Sequence, residues 1–181
     1  MNRQSLEEKE LKLKLRLAQL ERNEACQNNF LQFVRRLWPE FITGRHHEII
    51  AEKLERVAKG ELKRLIINMA PRHTKSEFAS FLFPAWMMGR KPNMKIILAT
   101  HTTELAVNFG RKTKNMIDSD DYKEIFPEVK LAADSKASGR WDTSAGGMYY
   151  AVGVGSNLAG RGGDLVIIDD PHSEQTAMSN N

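Results

Sequence analysis

The chain has little of what marks secreted or membrane proteins. Its single cysteine, Cys26, cannot form an internal disulfide, which fits a reducing cytoplasm. No apolar run approaches the roughly 18 residues that span a bilayer. The charged N-terminus is unlike a secretory signal, and we find no internal repeat and no low-complexity segment. We therefore expect no membrane association.

The composition suits one folded domain of ordinary size. Hydrophobic residues make up 41% and charged residues 28% of the 181 residues, so there is enough apolar material for a core. The formal net charge is +4. This charge permits contact with a polyanion such as DNA, but mildly basic proteins are common and it does not demand one.

Two helical segments precede the main pattern. Residues 5–25 alternate leucine with glutamate and lysine, and their helix-forming composition predicts a helix. We assign residues 1–27 to an N-terminal helical arm and residues 28–181 to the main domain. Within that domain, residues 28–59 form a helical block that Pro39 interrupts.

From residue 64 onward, short apolar runs alternate with helical stretches. This order predicts an α/β fold with a mainly parallel sheet and helices on both faces, because parallel strands are buried on both sides. We expect the second strand to lie between the first and the last. The predicted strands are 64–69 (RLIINM), 95–100 (KIILAT), 146–155 and 164–170 (DLVIIDD), and the predicted helices are 75–88 and 103–118.

The loop after the first predicted strand has the composition of a phosphate-binding loop. The start of a helix offers free N–H groups and a positive dipole end. Lys75 would reach the β- and γ-phosphates, Ser76 would offer its hydroxyl to Mg²⁺, and Arg72 would add a second cation. The alternative is a solvated helix start that is rich in cations.

Two glycines of the pattern G-x-x-x-x-G-K-[ST] are replaced. Met69 and Thr74 stand at those positions. A β-branched threonine disfavours positive φ. We therefore expect a negative φ at Thr74, or weakened phosphate binding.

The last predicted strand ends in two acids. Asp169 would hold Mg²⁺, and Asp170 would orient or deprotonate the attacking water. This is the Walker B pattern. The alternative is that two acids simply end a strand and cap a turn before Pro171. The carboxyl ends of parallel strands share one edge, so both motifs are expected to meet there.

These segments together resemble a known family, the large subunits of tailed-phage terminases. Residues 71–77 (PRHTKSE) look like the family's P-R-H-G-K-S-E loop, and residues 160–171 are similar to its G-R-G…D-L-(apolar)-D-D-P segment. Residues 44–47 are similar to its adenine-side region. The resemblance covers roughly residues 28–181 and implies these nucleotide-binding residues: Pro71, Arg72, His73, Thr74, Lys75, Ser76, Glu77 and His47.

The resemblance implies an ASCE-type P-loop NTPase that drives DNA packaging. Such a motor hydrolyses ATP with Mg²⁺ to push double-stranded DNA into the procapsid. Its implied partners are a portal protein and a small terminase subunit. Its implied assembly is a ring of five subunits, and its implied location is the host cytoplasm at the procapsid portal. The implied catalytic residues are Lys75, Asp170, Arg72 at the γ-phosphate, and Arg161 as a finger towards a neighbouring subunit. The alternative for Arg161 is a surface cation.

The 181 residues do not contain the family's next strand, which carries its coupling motif, or its nuclease domain. We therefore expect an incomplete sheet, with an unpaired edge that favours self-association. Two other functions stay open. One is a nucleotide-binding or assembly module without turnover. The other is a different P-loop DNA-dependent ATPase, such as a helicase or clamp loader.

Overall fold

A computed structural model of the protein describes residues 3–135, 137–156 and 160–172. The remaining positions of the predicted arm and main domain, among them 173–181, lie outside the described residues. The helices are α1 Arg3–Asn28, α2 Phe30–Leu37, α3 Arg45–Ala58, a π-helix Glu77–Leu82, α4 Phe83–Arg90, α5 Thr103–Asp118 and α6 Asp120–Ile125. The strands are β1 Lys95–Thr100, β2 Arg140–Asp142, β3 Met148–Gly153 and β4 Leu165–Asp169.

Helix α1 confirms that the N-terminal segment is helical. Its leucines are exposed along most of its length. Its last turns contact the rest of the protein, where Asn23 Nδ2 and Gln27 Nε2 donate to carbonyls of α6 at 2.7 and 2.5 Å. No helix in the described part of the chain has the length and hydropathy needed to cross a bilayer.

The four strands form one mixed sheet in the order β2-β3-β1-β4. Strand β1 is parallel to both β3 and β4, whereas β2 pairs with β3 antiparallel. The prediction of an α/β fold is confirmed, and two of the three pairings are parallel. Strand β2 was not predicted, since three residues carry too little pattern to identify a strand.

The prediction of a strand at residues 64–69 is wrong. This segment shows the alternating burial of a strand, with Leu65, Ile67 and Met69 half-buried and Ile66 86% exposed. However, it makes no backbone–backbone hydrogen bond to any described residue. A strand needs a paired neighbour, and here the neighbour is missing. Consequently β1 does not lie between two motif strands, and β4 is an edge strand.

The largest buried cluster lies on one face of the sheet, and Ile97, Ala99 and Val152 are buried on the other face. Side chains of Ile96, Leu98, Tyr149 and Ala151 join the helices in one buried cluster. The opposite face presents the alternate residues of the same strands, which are outside that cluster. On this face of the edge strand β4, Val166 and Ile168 are 55% and 64% exposed.

Phe30 joins the helices at the centre of the core. It is fully buried, and its ring lies 5.4 to 6.4 Å from four other aromatic rings. Edge-to-face packing of this kind adds to the burial of apolar area. The four rings belong to α2, the π-helix and α4: Phe33, Phe78, Phe83 and Trp86.

Replacing Phe30 with alanine should lower the free energy of unfolding by about 3–5 kcal/mol, because it leaves a cavity among four rings. Urea denaturation measures the change. Leu13→Ala on the exposed part of α1 is the matched control, and we expect it to stay within about 0.5 kcal/mol of wild type. Equal losses in both variants would contradict the placement of Phe30.

The open edge of β4 should promote self-association, because it combines an unpaired backbone with exposed Val166 and Ile168. We expect Val166→Lys to shift the protein towards monomer in sedimentation at high concentration. Leu13→Lys on α1 separates this edge from the exposed leucines of the arm. A wild-type chain that already sediments as a sharp monomer would contradict the prediction.

Candidate functional site

An open cleft of about 500 Å³ lies where the predicted phosphate loop meets the end of β4. Its lining consists of the continuous segment from Met69 to Glu77, together with Asp170. Lys75 and Ser76 already have helical geometry and lead into the π-helix. The helix predicted at 75–88 is thus confirmed, with a π-helical turn in its middle.

Lys75 bridges both acids at the strand end. Its Nζ lies 3.2 Å from Asp169 Oδ1 and 2.5 Å from Asp170 Oδ1. Burial alone would lower the pKa of Lys75, but the hydrogen bonds and charges of Asp170 and Asp169 outweigh that effect and raise it. The ammonium is therefore fully charged at neutral pH. The two sequence motifs meet at one point, as their positions in the chain predicted.

Asp169 is buried and depends on a residue that the sequence analysis missed. Its Oδ2 accepts a hydrogen bond from Ser80 Oγ at 2.8 Å, and both residues are buried. Ser80 lies in the π-helix, where Phe83 N–H donates to the carbonyl of Phe78, five residues back. The sequence feature that could have indicated the π-helix is Pro84. Proline has no N–H to donate to the carbonyl of Ser80, so it disfavours a regular α-helix there.

The loop adopts a conformation that the sequence analysis did not expect. Arg72 and Thr74 have φ values of 64° and 63°, so the expectation of a negative φ at Thr74 is wrong. Asp170 also has a positive φ, of 41°. Within the described part of the chain, no hydrogen bond from the backbone N–H groups of Arg72, Thr74, Lys75 or Ser76 is observed. Unpaired N–H groups at a helix start are the kind of donors that bind anions.

His47 lies behind the loop and is buried. Its Nδ1 accepts a hydrogen bond from Gly44 N–H at 2.8 Å, and its Nε2 lies 2.7 Å from Thr74 Oγ1. The ring packs against Phe41 and Phe78, with centroid distances of 4.6 and 5.1 Å. Both ring nitrogens are therefore occupied, and His47 as placed has no free polar atom for an adenine base.

The remaining predicted residues are divided between the cleft and other places. His73 Nδ1 lies 2.8 Å from the carbonyl of Pro71. Glu77 accepts a hydrogen bond from Lys112 of α5 at 2.7 Å. Arg161 lies over the ring of Tyr150 at 4.2 Å and is not among the residues that line the cleft. An arginine finger would have to act on another subunit, as the resemblance implied.

Ser76 and Asp169 are the oxygen donors that could contribute to a Mg²⁺ site. Ser76 lines the cleft, whereas Asp169 is buried beside it, with one oxygen bonded to Ser80 and the other paired with Lys75. Among the described residues, no group of three or more His, Cys, Asp or Glu side chains could hold a metal ion. Mg²⁺ usually keeps most of its other ligands as water and phosphate oxygens, so two protein ligands suffice.

The environment of His47 predicts a pH dependence of stability. Burial, followed by the neighbouring His46 and His73 rings, lowers the pKa of His47. The unfolded chain binds this proton more tightly, near the ordinary pKa of about 6.5, so stability from this group is lost as pH falls below that value. Urea midpoints between about pH 7.5 and pH 5 should therefore decrease less steeply in His47→Gln. Equal slopes in both proteins would contradict this.

Comparisons of the sequence with known proteins do not assign the site. No protein-family model matches the chain. A search of curated proteins gives no match either. What the site does must therefore be argued from the cleft, the loop and the strand end themselves.

Proposed function

We propose that the chain is the ATP-binding and ATP-hydrolysing module of a phage DNA-packaging terminase. The observation that carries the proposal is the position of Lys75, which bridges Asp169 and Asp170 at the mouth of a loop with free N–H groups. A lysine at a helix start, facing two carboxylates at a strand end, is the arrangement that nucleoside triphosphate hydrolysis uses.

Each residue has a defined part in this proposal. Lys75 exchanges its carboxylate partners for the β- and γ-phosphates, and Arg72, which lines the cleft, adds a second positive charge. Ser76 and Asp169 would hold Mg²⁺, and the metal would supply positive charge to neutralise the phosphate oxygens. Once Lys75 moves away, the 68% exposed carboxylate of Asp170 is free to accept a proton from the attacking water.

The terminase part of the proposal rests on residues 71–77 and 160–171, which resemble that family in order and composition. Double-stranded DNA, a portal protein and a small terminase subunit are the partners that follow from it. The net charge of +4 suits a polyanionic partner. Assembly into a ring of five would bring Arg161 of one subunit towards the cleft of the next.

Nucleotide binding without turnover is the second candidate function. One observation favours it: Asp170 lies 2.5 Å from Lys75, so the proposed base is held by the residue that should bind phosphate. If that pair persists with nucleotide bound, Asp170 cannot accept a proton from water. Binding and phosphate release must therefore be measured separately.

Wild-type protein should release phosphate from ATP in the presence of Mg²⁺, and chelation with EDTA should abolish the release. Lys75→Ala should lower the rate by at least about a hundredfold, because the positive charge on the transferred phosphoryl group is lost. A coupled phosphate-release assay, with and without double-stranded DNA, measures both effects. We expect DNA to stimulate the wild-type rate.

Lys112→Ala is the matched control, since Lys112 lies outside the cleft and pairs with Glu77. Asp170→Asn separates the two candidate functions, because it should keep ATP binding and lose phosphate release. Wild type that binds ATP but releases phosphate no faster than Lys75→Ala supports the module without turnover. Wild type that binds no ATP overturns both candidates.

A further inference from the structure

We infer that His47 is a positioning residue that holds Thr74 in the left-handed conformation, where the loop pattern has glycine. The inference rests on the proposed function, since it assigns a cause to the shape of the phosphate loop. It also changes the role of His47, which the resemblance placed among the residues that touch the nucleotide.

The conformation of Thr74 requires an explanation. Its φ of 63° lies in a region that β-branched residues rarely occupy, because the branched side chain crowds the backbone. Such a residue persists only where its surroundings determine it. Thr74 is half-buried, and its carbonyl accepts a hydrogen bond from Phe78 N–H at 3.0 Å. The hydrogen bonds of its hydroxyl fix its side chain.

These hydrogen bonds form a chain with one direction. His47 Nδ1 accepts from Gly44 N–H, so in the neutral ring the proton is on Nε2. Nε2–H then donates to Thr74 Oγ1 at 2.7 Å. The threonine hydroxyl in turn donates to the carbonyl of His73 at 2.6 Å. Every donor in this chain has an acceptor, so the side chain and the backbone of Thr74 are held together.

The donor itself is fixed in space. His47 lies in the first turn of α3, and its ring is enclosed by His46, Phe41 and Phe78, with centroid distances of 3.8, 4.6 and 5.1 Å. Phe78 belongs to the π-helix that follows the loop. The ring of His47 therefore connects helix α3 to Thr74 through a hydrogen bond and to the π-helix through its contact with Phe78. Rotation of the ring would break the hydrogen bonds of both nitrogens.

The consequence for binding lies in the backbone. Positive φ at Arg72 and Thr74, on either side of His73, turns successive N–H groups in the way that forms an anion-binding concavity. A threonine that relaxed to negative φ would turn these N–H groups away. His47 thus acts on phosphate through Thr74, without touching the phosphate.

The inference is tested by a double-mutant cycle that combines His47→Leu with two backgrounds, wild-type Thr74 and Thr74→Gly. The first readout needs no nucleotide: amide hydrogen exchange of Phe78, whose N–H donates to the carbonyl of Thr74 at 3.0 Å. Thr74→Val keeps the shape and removes the hydroxyl, and it should speed this exchange roughly 5- to 10-fold, as loss of a hydrogen bond of ordinary strength predicts. His47→Leu should do the same. In a Thr74→Gly background, His47→Leu should change the exchange by less than about twofold, since glycine needs no clamp.

The second readout is affinity for a slowly hydrolysed ATP analogue with Mg²⁺, measured by calorimetry. We expect Thr74→Val and His47→Leu to weaken binding by similar factors, and His47→Gln, which keeps a donor near the position of Nε2, to restore most of it. Thr143→Val is the matched control, since Thr143 is a buried threonine whose hydroxyl donates to the carbonyl of Pro92 and which does not line the cleft.

The outcomes separate this inference from the proposed function. If wild type binds no ATP analogue, the proposed function fails, and the exchange measurements still test the clamp. Thr74→Val that leaves the exchange of the Phe78 amide unchanged overturns the clamp, and this variant keeps the His47 side chain. A loss from His47→Leu that is equally large in the Thr74→Gly background overturns it as well.

Discussion

The ion pairs of Lys75 are the interaction on which the site depends. Asp169 is buried, and a buried carboxylate without a cation would be strongly unfavourable. Ser80 supplies one hydrogen bond, but among the described residues only Lys75 supplies the compensating charge. Because the segment before the loop makes no backbone hydrogen bonds to the sheet, this cation is also the direct polar link between the loop and β4. The loop is therefore held in position by ion pairs and side-chain packing, and not by backbone hydrogen bonds of the preceding segment to the sheet.

Because side-chain packing helps to place the loop, the segment before the loop must be held firmly against the core. With no ladder to hold residues 64–69, their position relies on Leu65, Ile67 and Met69 against the core. The core can fix the position of this segment because it is closely packed, with the ring of Phe30 in contact with its four aromatic neighbours. On the other face of the sheet, Ile97, Ala99 and Val152 are also buried, and the exposed apolar side chains are Val166 and Ile168 of the edge strand.

Local signals predicted the elements that local forces form. Strand β1 and helix α5 begin and end where they were predicted, because a continuous apolar run and a capping threonine, Thr102, mark them. Residues 64–69 have an equally clear apolar pattern but do not form a strand, because a strand also needs a neighbouring strand with which to form hydrogen bonds. The contact between the two site motifs was predicted from two parallel strands, but only β4 is present, and the ion pairs of Lys75 make the contact. The mixed sheet was not predicted, because three-residue β2 has no pattern of its own.

Thr74 shows why the detailed shape of the site was beyond local reasoning. Propensity predicted negative φ, and propensity was overruled by a histidine 27 positions away along the chain. Glycine reaches this conformation freely but must give up much conformational freedom on folding. Threonine with His47 reaches it through a chain of hydrogen bonds that is already complete before any anion arrives. The loop is then preorganised, and its shape becomes dependent on the neutral form of a buried imidazole. A departure from the glycine pattern is therefore not by itself a sign of a lost site, provided that another residue supplies the constraint.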